Sequence, residues 1–426
     1  ILLALVVNEP LWDDYTHWLV SAQFLIREGQ MPTADTVVLN HSHPSYPYAR
    51  ALLHAWVNVI SGGFSINVQG LFNIFFASTL LLWVPNWLSI MYKQTLRFQT
   101  ALAGMAIFSC VIILWAALLS NTLIISSYAD PIYAILMVHL FFVLSTDDFQ
   151  KGPFSRATAR LDPVLVCLFV APLILKQSGF YFSIIMFGMF WLYGVGTMMN
   201  TERTIKLGEL VRKTGVQLLY LLPMLGLHLI WSLYVSSQNI AKSFGLRAPE
   251  FWNFDVLHLI IKGVGFQMAA RPYAGFAAII IIILIAIWVI KGRKTPDRTF
   301  VLLPLSFSFF LLTVIFQILA YSVAFTEFEA IRGASFNRYI APAGLVMWSA
   351  LLIYGIRRLP SQTIRRQLTI ATSVSLSFFL VVIGSADKIV PSHRTDPALI
   401  DVAETIKRVY PQGKKLLILD LLGNGI

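Results

Sequence analysis

The sequence predicts an all-α, polytopic membrane protein with about 11 transmembrane helices. Of the 426 residues, 57% are hydrophobic and only 12% are charged, and the mean hydropathy is +0.72. Soluble domains carry about 25% charged residues. Apolar runs such as Ala274–Ile290 and Val301–Phe325 approach or exceed the length of about 20 residues that one membrane crossing needs.

Positive charge is concentrated in short linkers between the apolar runs. The net charge is +11, but the basic residues form no single surface that would suit nucleic acid. Their distribution follows the positive-inside rule, which places these linkers in the cytoplasm. The residues concerned are Lys93, Arg97, Lys151, Arg156, Arg160, Arg203, Lys206, Arg212, Lys213, Lys291, Arg293, Lys294, Arg298, Arg357, Arg358, Arg365 and Arg366.

The charge bias and the apolar runs together give a topology. Residues 9–65, 236–271, 326–339 and the tail after about residue 386 are expected outside. Residues 1–385 form the predicted transmembrane domain. The expected spans lie near 1–8 (the end of one), 66–90, 99–119, 124–145, 163–175, 179–199, 214–235, 272–291, 299–325, 340–356 and 368–385.

The extracytoplasmic C-terminal segment, 386–426, differs in character from the rest of the chain. Asp396 and Pro397 predict the start of a helix that runs to about Tyr410, and residues 415–421 predict a strand. One such αβ unit is too small to fold alone. It is therefore expected to be the beginning of a soluble domain.

The first outer loop, 9–65, carries the densest set of polar residues. Asp13 or Asp14 can cap a helix over 15–28, and Gly29 supplies its C-terminal stop. A second helix is predicted over 49–62. Both helices are expected to lie in the membrane interface.

Two carboxylate positions suit chemistry at the membrane surface. Asp13 and Asp14 could act as a general base or hold a metal ion, because a carboxylate beside another has a raised proton affinity. Asp130 lies at the outer mouth of a span, where an ionisable residue is functional by default. The alternative for all three residues is a structural role as helix caps.

Cations occupy the same predicted face. Lys176 lies between two short spans and either snorkels to the lipid headgroups or binds an anion. Arg332 and Arg338 lie in the loop before a late span, and arginine suits bidentate contact with phosphate. In the alternative interpretation, Glu327 and Glu329 simply pair with these two arginines.

Other polar residues give weaker signals. His43, with His41 and Tyr46, lies in a segment that could contact a ligand, but two histidines do not specify a metal site. His139 and His228 are expected to be packed or hydrogen-bonded inside the bundle. Cys110 and Cys167 are expected to be inert packing residues, and no thiolate metal site is indicated.

In the order and placement of these motifs, the chain resembles the GT-C superfamily of integral-membrane glycosyltransferases. It is most similar to protein O-mannosyltransferase-like and aminoarabinose-transferase-like proteins. The resemblance covers about residues 1–385 and rests on motifs of which none is specific alone. They are Asp13–Asp14, where the family more often has Asp–Glu, Tyr46–Pro47, Tyr128–Ala129–Asp130, Lys176 with Gly179, and Arg338–Tyr339.

The resemblance implies a polyprenyl-phosphate-linked sugar as donor and transfer on the extracytoplasmic face, with a bacterial inner membrane as the expected location. It implies that Asp13, Asp14 and Asp130 are catalytic, and that they are the ligands if a divalent cation takes part. It implies that Lys176 and Arg338 bind the donor phosphate; Arg332, which lies outside the matching motifs, is a weaker candidate for the same role. Candidate substrate-binding residues are His17, His43, Tyr46 and Tyr339.

Two other functions are consistent with a polytopic chain. A transporter or flippase of a lipid-linked or anionic solute would place charges along a mid-membrane pathway, commonly between two matching halves. A non-catalytic scaffold would leave the Asp pair and the Arg–Tyr motif without a role. Convergence of Asp13, Asp130, Lys176 and Arg338 on one outward cavity would favour the transferase. The acceptor is expected to be a cell-envelope glycan, lipid or protein.

Overall fold

The computed structural model describes residues 19–33, 45–62, 76, 79, 130–145, 162–176, 179–201, 207–240, 247–270, 272–291 and 299–358. All of them belong to one compact unit, Ile1–Thr369. The predicted spans at 1–8, 99–119 and 368–385 and the C-terminal αβ segment lie outside the described residues. Asp13, Asp14, His17, His41 and His43 also lie outside them.

The described residues are mostly helical and contain no strand. A single 3₁₀ turn, Pro249–Phe251, accompanies the α-helices in this part of the chain. The helices are α1 (Leu19–Glu28), α2 (Ala49–Ser61), α3 (Asp130–Leu144), α4 (Pro163–Leu175), α5 (Gly179–Thr201), α6 (Leu207–Leu218), α7 (Leu221–Ser237), α8 (Leu257–Ala270), α9 (Tyr273–Ile290), α10 (Leu302–Val323), α11 (Glu327–Arg332) and α12 (Phe336–Arg358).

Within the described ranges, five helical stretches are long and apolar enough to cross a membrane, which makes the chain an integral membrane protein. They are Gly179–Gly196, Leu210–Ser237, Tyr273–Ile290, Leu302–Val323 and Phe336–Gly355. Shorter apolar helices cover Ile132–Leu144, Pro163–Leu175 and Leu257–Ala270. A mostly helical membrane protein is thus confirmed for the described residues, whereas the total of about 11 spans stays a prediction.

Helix α3 is the centre of the described bundle. Apart from Asp130 and His139, the described side chains of α3 are apolar on every side and buried, as expected of a helix enclosed by other helices. It contacts α12, α4 and α5, and α12 in turn contacts α10 and α9. By contrast, α9 leaves isoleucines such as Ile279 and Ile283 exposed, which is typical of a surface that faces lipid.

The two helices predicted in the first outer loop are present as α1 and α2. Gly29 follows α1 with φ +66, and Gly62 follows α2 with φ +76. Glycine tolerates this left-handed conformation, so both residues end their helices; Gly29 was predicted from the sequence as a stop, and Gly62 was not. The spacing of Leu19, Ala22 and Leu25 in the sequence predicts one apolar face of this helix, and all three are buried in α1.

Three regions differ from the sequence-based expectation. Region 236–271, expected as a loop outside the membrane, contains α8. Region 326–339, also expected as an outer loop, contains α11, where the Thr326 hydroxyl and Glu329 form a capping box, and α12 already begins at Phe336. A turn at Leu219–Tyr220 divides the long apolar run at 210–237 into α6 and α7. Hydropathy distinguishes apolar from polar stretches, but it does not show where capping residues or turns begin and end a short helix.

Candidate functional site

A buried ionic cluster joins three of the residues that the sequence singled out. Lys176 Nζ lies 3.4 Å from Oδ1 of Asp130 and donates a hydrogen bond to it. Arg338 Nε lies 3.4 Å from Oδ2 of the same carboxylate. Asp130 is 1% exposed and Lys176 is 6% exposed. One carboxylate therefore stands between two cations, and the cluster carries one formal positive charge in excess.

The turn between α4 and α5 positions Lys176. Lys176 ends α4 in an extended conformation, and its backbone N–H donates to the Pro172 carbonyl. The hydroxyl of Tyr133, on α3, donates to the same carbonyl at 3.3 Å. A Cβ atom on Gly179 would meet the Pro172 oxygen at 1.8 Å, so this turn requires glycine. This close approach gives a structural reason for the Lys176–Gly179 spacing.

The ring of Tyr339 is close to both cations. The Lys176 ammonium is 5.3 Å from the centre of its ring, and the Arg338 guanidinium is 5.0 Å from it. Arg338 Nη2 also donates to the Tyr339 hydroxyl at 3.0 Å. The first turn of α12 thus contributes both members of the Arg–Tyr motif, and cation–π attraction helps to hold the cations at this place.

The carboxylate of Asp130 forms ion pairs with residues that are distant in sequence. It is the first residue of α3, and its two carboxylate oxygens face Lys176 and Arg338. The alternative interpretation, that Asp130 only caps a helix beginning at Pro131, does not explain why its carboxylate pairs with both Lys176 and Arg338. The carboxylate orients both cations.

An apolar cavity of about 760 Å³ adjoins the ionic cluster. Lys176 and Tyr339 are part of its wall, and so is Tyr46, which the sequence proposed as a substrate-binding residue. The volume lies within the usual range of small-molecule sites. Its other named side chains are mainly apolar and aromatic, among them Tyr48, Leu173, Phe180, Phe182, Trp231, Val235, Phe316, Ala320 and Phe325.

Several cavity residues were not predicted from the sequence. His228 lines the cavity and stacks on Phe180, with ring centres 4.1 Å apart. Gln317, on α10, also lines it. Both are single polar residues within apolar runs, and that was the signal available in the sequence. The interpretation of His228 as a bundle residue missed the cavity, whereas His139 is packed as expected, with its Nδ1 2.8 Å from the Ile135 carbonyl oxygen.

Helix α7 connects the segment around Pro32 and Ser45, which the sequence predicts to be in the first outer loop, to the cavity wall. The indole N–H of Trp231 donates to the Ser45 carbonyl at 3.0 Å, and the Tyr234 hydroxyl donates to the Pro32 carbonyl at 2.6 Å. The Tyr48 ring lies beside Trp231. Burial raises the pKa of Tyr48 to about 12, although a hydrogen bond with Ser21 opposes this shift. The Tyr48 hydroxyl is therefore neutral at physiological pH.

Arg332 is not part of the described cavity wall. Its guanidinium lies 4.9 Å from the centre of the Phe328 ring, and its carbonyl accepts from the Gln267 amide. The carboxylate of Glu329 accepts from the Thr326 hydroxyl within the capping box. The sequence also allowed Glu327 or Glu329 to pair with Arg338. In the structure, Arg338 forms an ion pair with Asp130.

The described residues contain no group of three His, Cys, Asp or Glu side chains that could hold a metal ion. Asp130 is paired with two cations, which would repel a divalent cation at the same carboxylate. This part of the chain therefore does not fit a metal at Asp130.

Cys167 was expected to be an inert packing residue. In the structure, its side chain is exposed on α4.

Comparison with known proteins gives no relative from which a role could be transferred. No family model, curated protein or solved structure matches the chain.

Proposed function

We propose that the protein is a glycosyltransferase that moves a sugar from a polyprenyl-phosphate-type lipid donor to an acceptor on the extracytoplasmic face. The acceptor is a cell-envelope glycan, lipid or protein. One observation carries the proposal: Lys176 and Arg338 are held on a single buried carboxylate at the edge of a large apolar cavity.

The ionic cluster suits the phosphate of such a donor. Removing charges from water is costly, and buried ion pairs contribute little net stability, so stability alone is a weak reason to keep three charges here. Two cations on one carboxylate leave an excess positive charge that a phosphate can neutralise. Arg338 provides a planar guanidinium, which suits phosphate oxygens, and Lys176 provides a compact point charge.

The cavity suits the remainder of an amphiphilic donor. Its wall is dominated by aliphatic and aromatic side chains, with Lys176 and Tyr339 among them. A lipid phosphate combines an apolar chain with an anionic group, so it can fill the cavity and reach the cations at the same time. A small hydrophilic anion would leave the apolar wall unused.

Charge distribution supports an extracytoplasmic site. Asp130 begins α3 and Arg338 lies in the first turn of α12, whereas Lys176 ends α4. The basic linkers adjoin the opposite ends of these helices: Arg156 and Arg160 precede α4, and Arg357 and Arg358 end α12. Under the positive-inside rule those ends are cytoplasmic, so the cluster faces the other side.

The proposed reaction uses Asp13 or Asp14 as the general base. The carboxylate accepts a proton from an acceptor hydroxyl, whose oxygen forms a bond to the anomeric carbon of the sugar. The bond between that carbon and the phosphate oxygen breaks, and polyprenyl phosphate leaves with the electron pair. Lys176 and Arg338 stabilise the charge on the departing phosphate, and Asp130 holds both cations in place. No metal ion is needed for these steps.

Donor turnover tests the proposal. The purified protein is incubated in lipid nanodiscs with a panel of polyprenyl-phosphate sugars and a crude cell-envelope acceptor fraction, and the lipids are measured by mass spectrometry. We expect free polyprenyl phosphate to accumulate from at least one donor, and to do so more slowly with Lys176→Met. If every donor binds but remains intact, a carrier of lipid-linked solutes replaces the transferase as the better explanation.

A further inference from the structure

The turn that precedes Arg338 contains a residue in an unfavourable backbone conformation. This turn joins α11 to α12 through Gly333, Ala334 and Ser335. Gly333 has φ +59 and Ser335 has φ +60. Glycine adopts the left-handed region readily, whereas a residue with a Cβ atom does so at a cost in free energy. The Ser335 side chain is exposed, so burial of that side chain does not offset the cost.

Side chains from α8 and α10 hold this turn in place. The amide N–H of Gln267, on α8, donates to the Arg332 carbonyl at 3.1 Å, just before the turn. The amide oxygen of Gln267 accepts from the side chain of Asn337 at 2.8 Å, just after the turn. The Tyr321 hydroxyl, on α10, donates to the Ala334 carbonyl at 2.5 Å, in the middle of the turn. One glutamine side chain therefore joins the two sides of the turn.

Helix α8 lies directly against the α11–α12 turn. A Cβ atom on Gly263 would clash with the Ile331 carbonyl oxygen, so the backbones of α8 and α11 are in contact at this point. A Cβ atom on Gly333 would lie only 3.2 Å from the Cγ atom of Gln267. The backbone contact fixes where the Gln267 side chain starts, and its hydrogen bonds fix where the amide ends.

Arg338 depends on this turn for its position. Its backbone N–H donates to the Ser335 carbonyl at 3.0 Å, so the left-handed residue is hydrogen-bonded to the first turn of α12. From there the Arg338 guanidinium reaches Asp130, with Nε 3.4 Å from Oδ2. A residue in a strained conformation persists only where the surrounding structure holds it. Without the Gln267 contacts, Ser335 would relax to a negative φ, and the start of α12 would carry Arg338 away from Asp130.

We propose, resting on the proposed function, that Gln267 is a positioning residue for phosphate binding. It holds Ser335 in the left-handed conformation and thereby keeps the Arg338 guanidinium at the place where the phosphate binds. Both ends of the Gln267 amide are hydrogen-bonded to the flanks of the turn, so Gln267 acts through Arg338 and not by contact with the phosphate. The affinity for an anion thus depends on an uncharged side chain of a neighbouring helix.

Farnesyl phosphate, a soluble analogue of a polyprenyl phosphate, is the probe. Calorimetry on the full chain in nanodiscs gives its affinity, at a temperature where every variant is folded. Gln267→Met keeps an unbranched side chain of similar length and removes both hydrogen bonds. We expect it to weaken binding about tenfold, because Ser335 relaxes and Arg338 is displaced. Asn337→Ala removes only one of these bonds and should weaken binding about threefold, and it serves if Gln267→Met does not fold.

A double variant separates positioning from stability. In Gln267→Met/Ser335→Gly, glycine adopts the left-handed conformation without strain, so the turn is no longer driven away from it. The double variant should therefore regain most of the affinity that Gln267→Met loses. If Asn337→Ala takes the place of Gln267→Met, Ser335→Gly should restore its affinity in the same way.

Thr214→Val is the matched control for the loss of a hydrogen bond between helices. The Thr214 hydroxyl on α6 accepts from the Trp191 indole on α5 at 3.1 Å. Trp191 lies about 18 Å from Gly179 along the axis of α5, so this contact is distant from the turn that positions Lys176. Thr214→Val should lower the melting temperature and leave the affinity for farnesyl phosphate unchanged.

The outcomes separate this inference from the proposed function. If the wild type binds farnesyl phosphate and Gln267→Met binds it equally well, Gln267 only stabilises the fold and the inference is wrong, while the proposed function stands. A loss that Ser335→Gly does not reverse, or that Thr214→Val reproduces, also overturns the inference. If the wild type does not bind farnesyl phosphate, the proposed function fails, and the inference fails with it.

Discussion

Lys176 Nζ and Asp130 Oδ1 are 3.4 Å apart although 46 positions separate the two residues in the chain. The pair joins the end of α4 to the start of α3, and both side chains are almost fully enclosed. Arg338 adds a second cation from α12. Three helix termini therefore meet at one charged point, and the contact between them has direct consequences for stability and for ligand binding.

Neutralising Asp130 should destabilise the protein. Asp130→Asn leaves Lys176 and Arg338 buried without their counter-charge, and loss of one partner of a buried ion pair costs about 3–5 kcal/mol. Thermal unfolding in nanodiscs measures the effect. The double variant Asp130→Asn/Lys176→Met removes one of the two stranded cations, so part of the stability should return. It also lacks one of the two phosphate-binding cations, so it should bind farnesyl phosphate more weakly than the wild type does. A single variant as stable as the wild type would show that the cluster is not buried as described.

The two arginines that the sequence proposed for phosphate binding should behave differently. Arg338→Lys keeps the charge but loses the planar guanidinium, and we expect about tenfold weaker binding of farnesyl phosphate with folding intact. Arg332→Ala should leave the affinity unchanged, because the Arg332 guanidinium lies on Phe328, whereas Arg338 is paired with Asp130. Calorimetry with both variants decides between them. Equal loss from both would return Arg332 to the phosphate site.

Two glycines of α5 provide a matched test of the turn that positions Lys176. In Gly179→Ala the new Cβ atom would meet the Pro172 oxygen at 1.8 Å, so we expect a lower melting temperature and weaker phosphate binding. Gly188 has no atom within 4 Å of an added Cβ. Gly188→Ala should therefore stabilise the helix by up to about 1 kcal/mol, since alanine is the better helix former. The same sign of effect for both substitutions would contradict the close approach.

The side of the membrane on which the site lies can be determined by cysteine labelling. In a variant with Cys110 and Cys167 replaced by serine, Glu250→Cys should react in intact cells with a reagent that cannot cross the membrane. Lys291→Cys should react only after the cells are opened. Both positions are exposed, so access to the reagent depends on the membrane and not on burial. The reverse pattern would place the ionic cluster on the cytoplasmic side.

Sequence reasoning predicted the parts of the site that depend on residue type near a helix end. Asp130, Lys176, Arg338 and Tyr339 were each selected because a charged or motif residue adjoined an apolar run, and the structure brings these four together. Gly29 was predicted as a helix stop because its missing Cβ favours a left-handed conformation.

The interior of the site could not be predicted in the same way. Gln317 and His228 are single polar residues in long apolar helices, and periodicity does not reveal which neighbouring helix each one faces. The cavity depends on how α5, α7 and α10 are arranged, and that arrangement is a tertiary property. Arg332 was the weaker of the two arginine candidates in sequence, and in the structure its guanidinium lies on Phe328, one turn earlier on α11.

The most direct measurement of the central claim compares transfer and donor binding in Asp13→Asn and Asp14→Asn. Asparagine keeps the side-chain volume and can still cap a helix, whereas it cannot accept the acceptor proton. If Asp13 is the base, Asp13→Asn should lower sugar transfer about 10²–10⁴-fold and leave donor binding intact. If only Asp14→Asn has this effect, the two roles are exchanged. Transfer at the wild-type rate in both single variants would show that these carboxylates are structural, and it would contradict the glycosyltransferase mechanism proposed here.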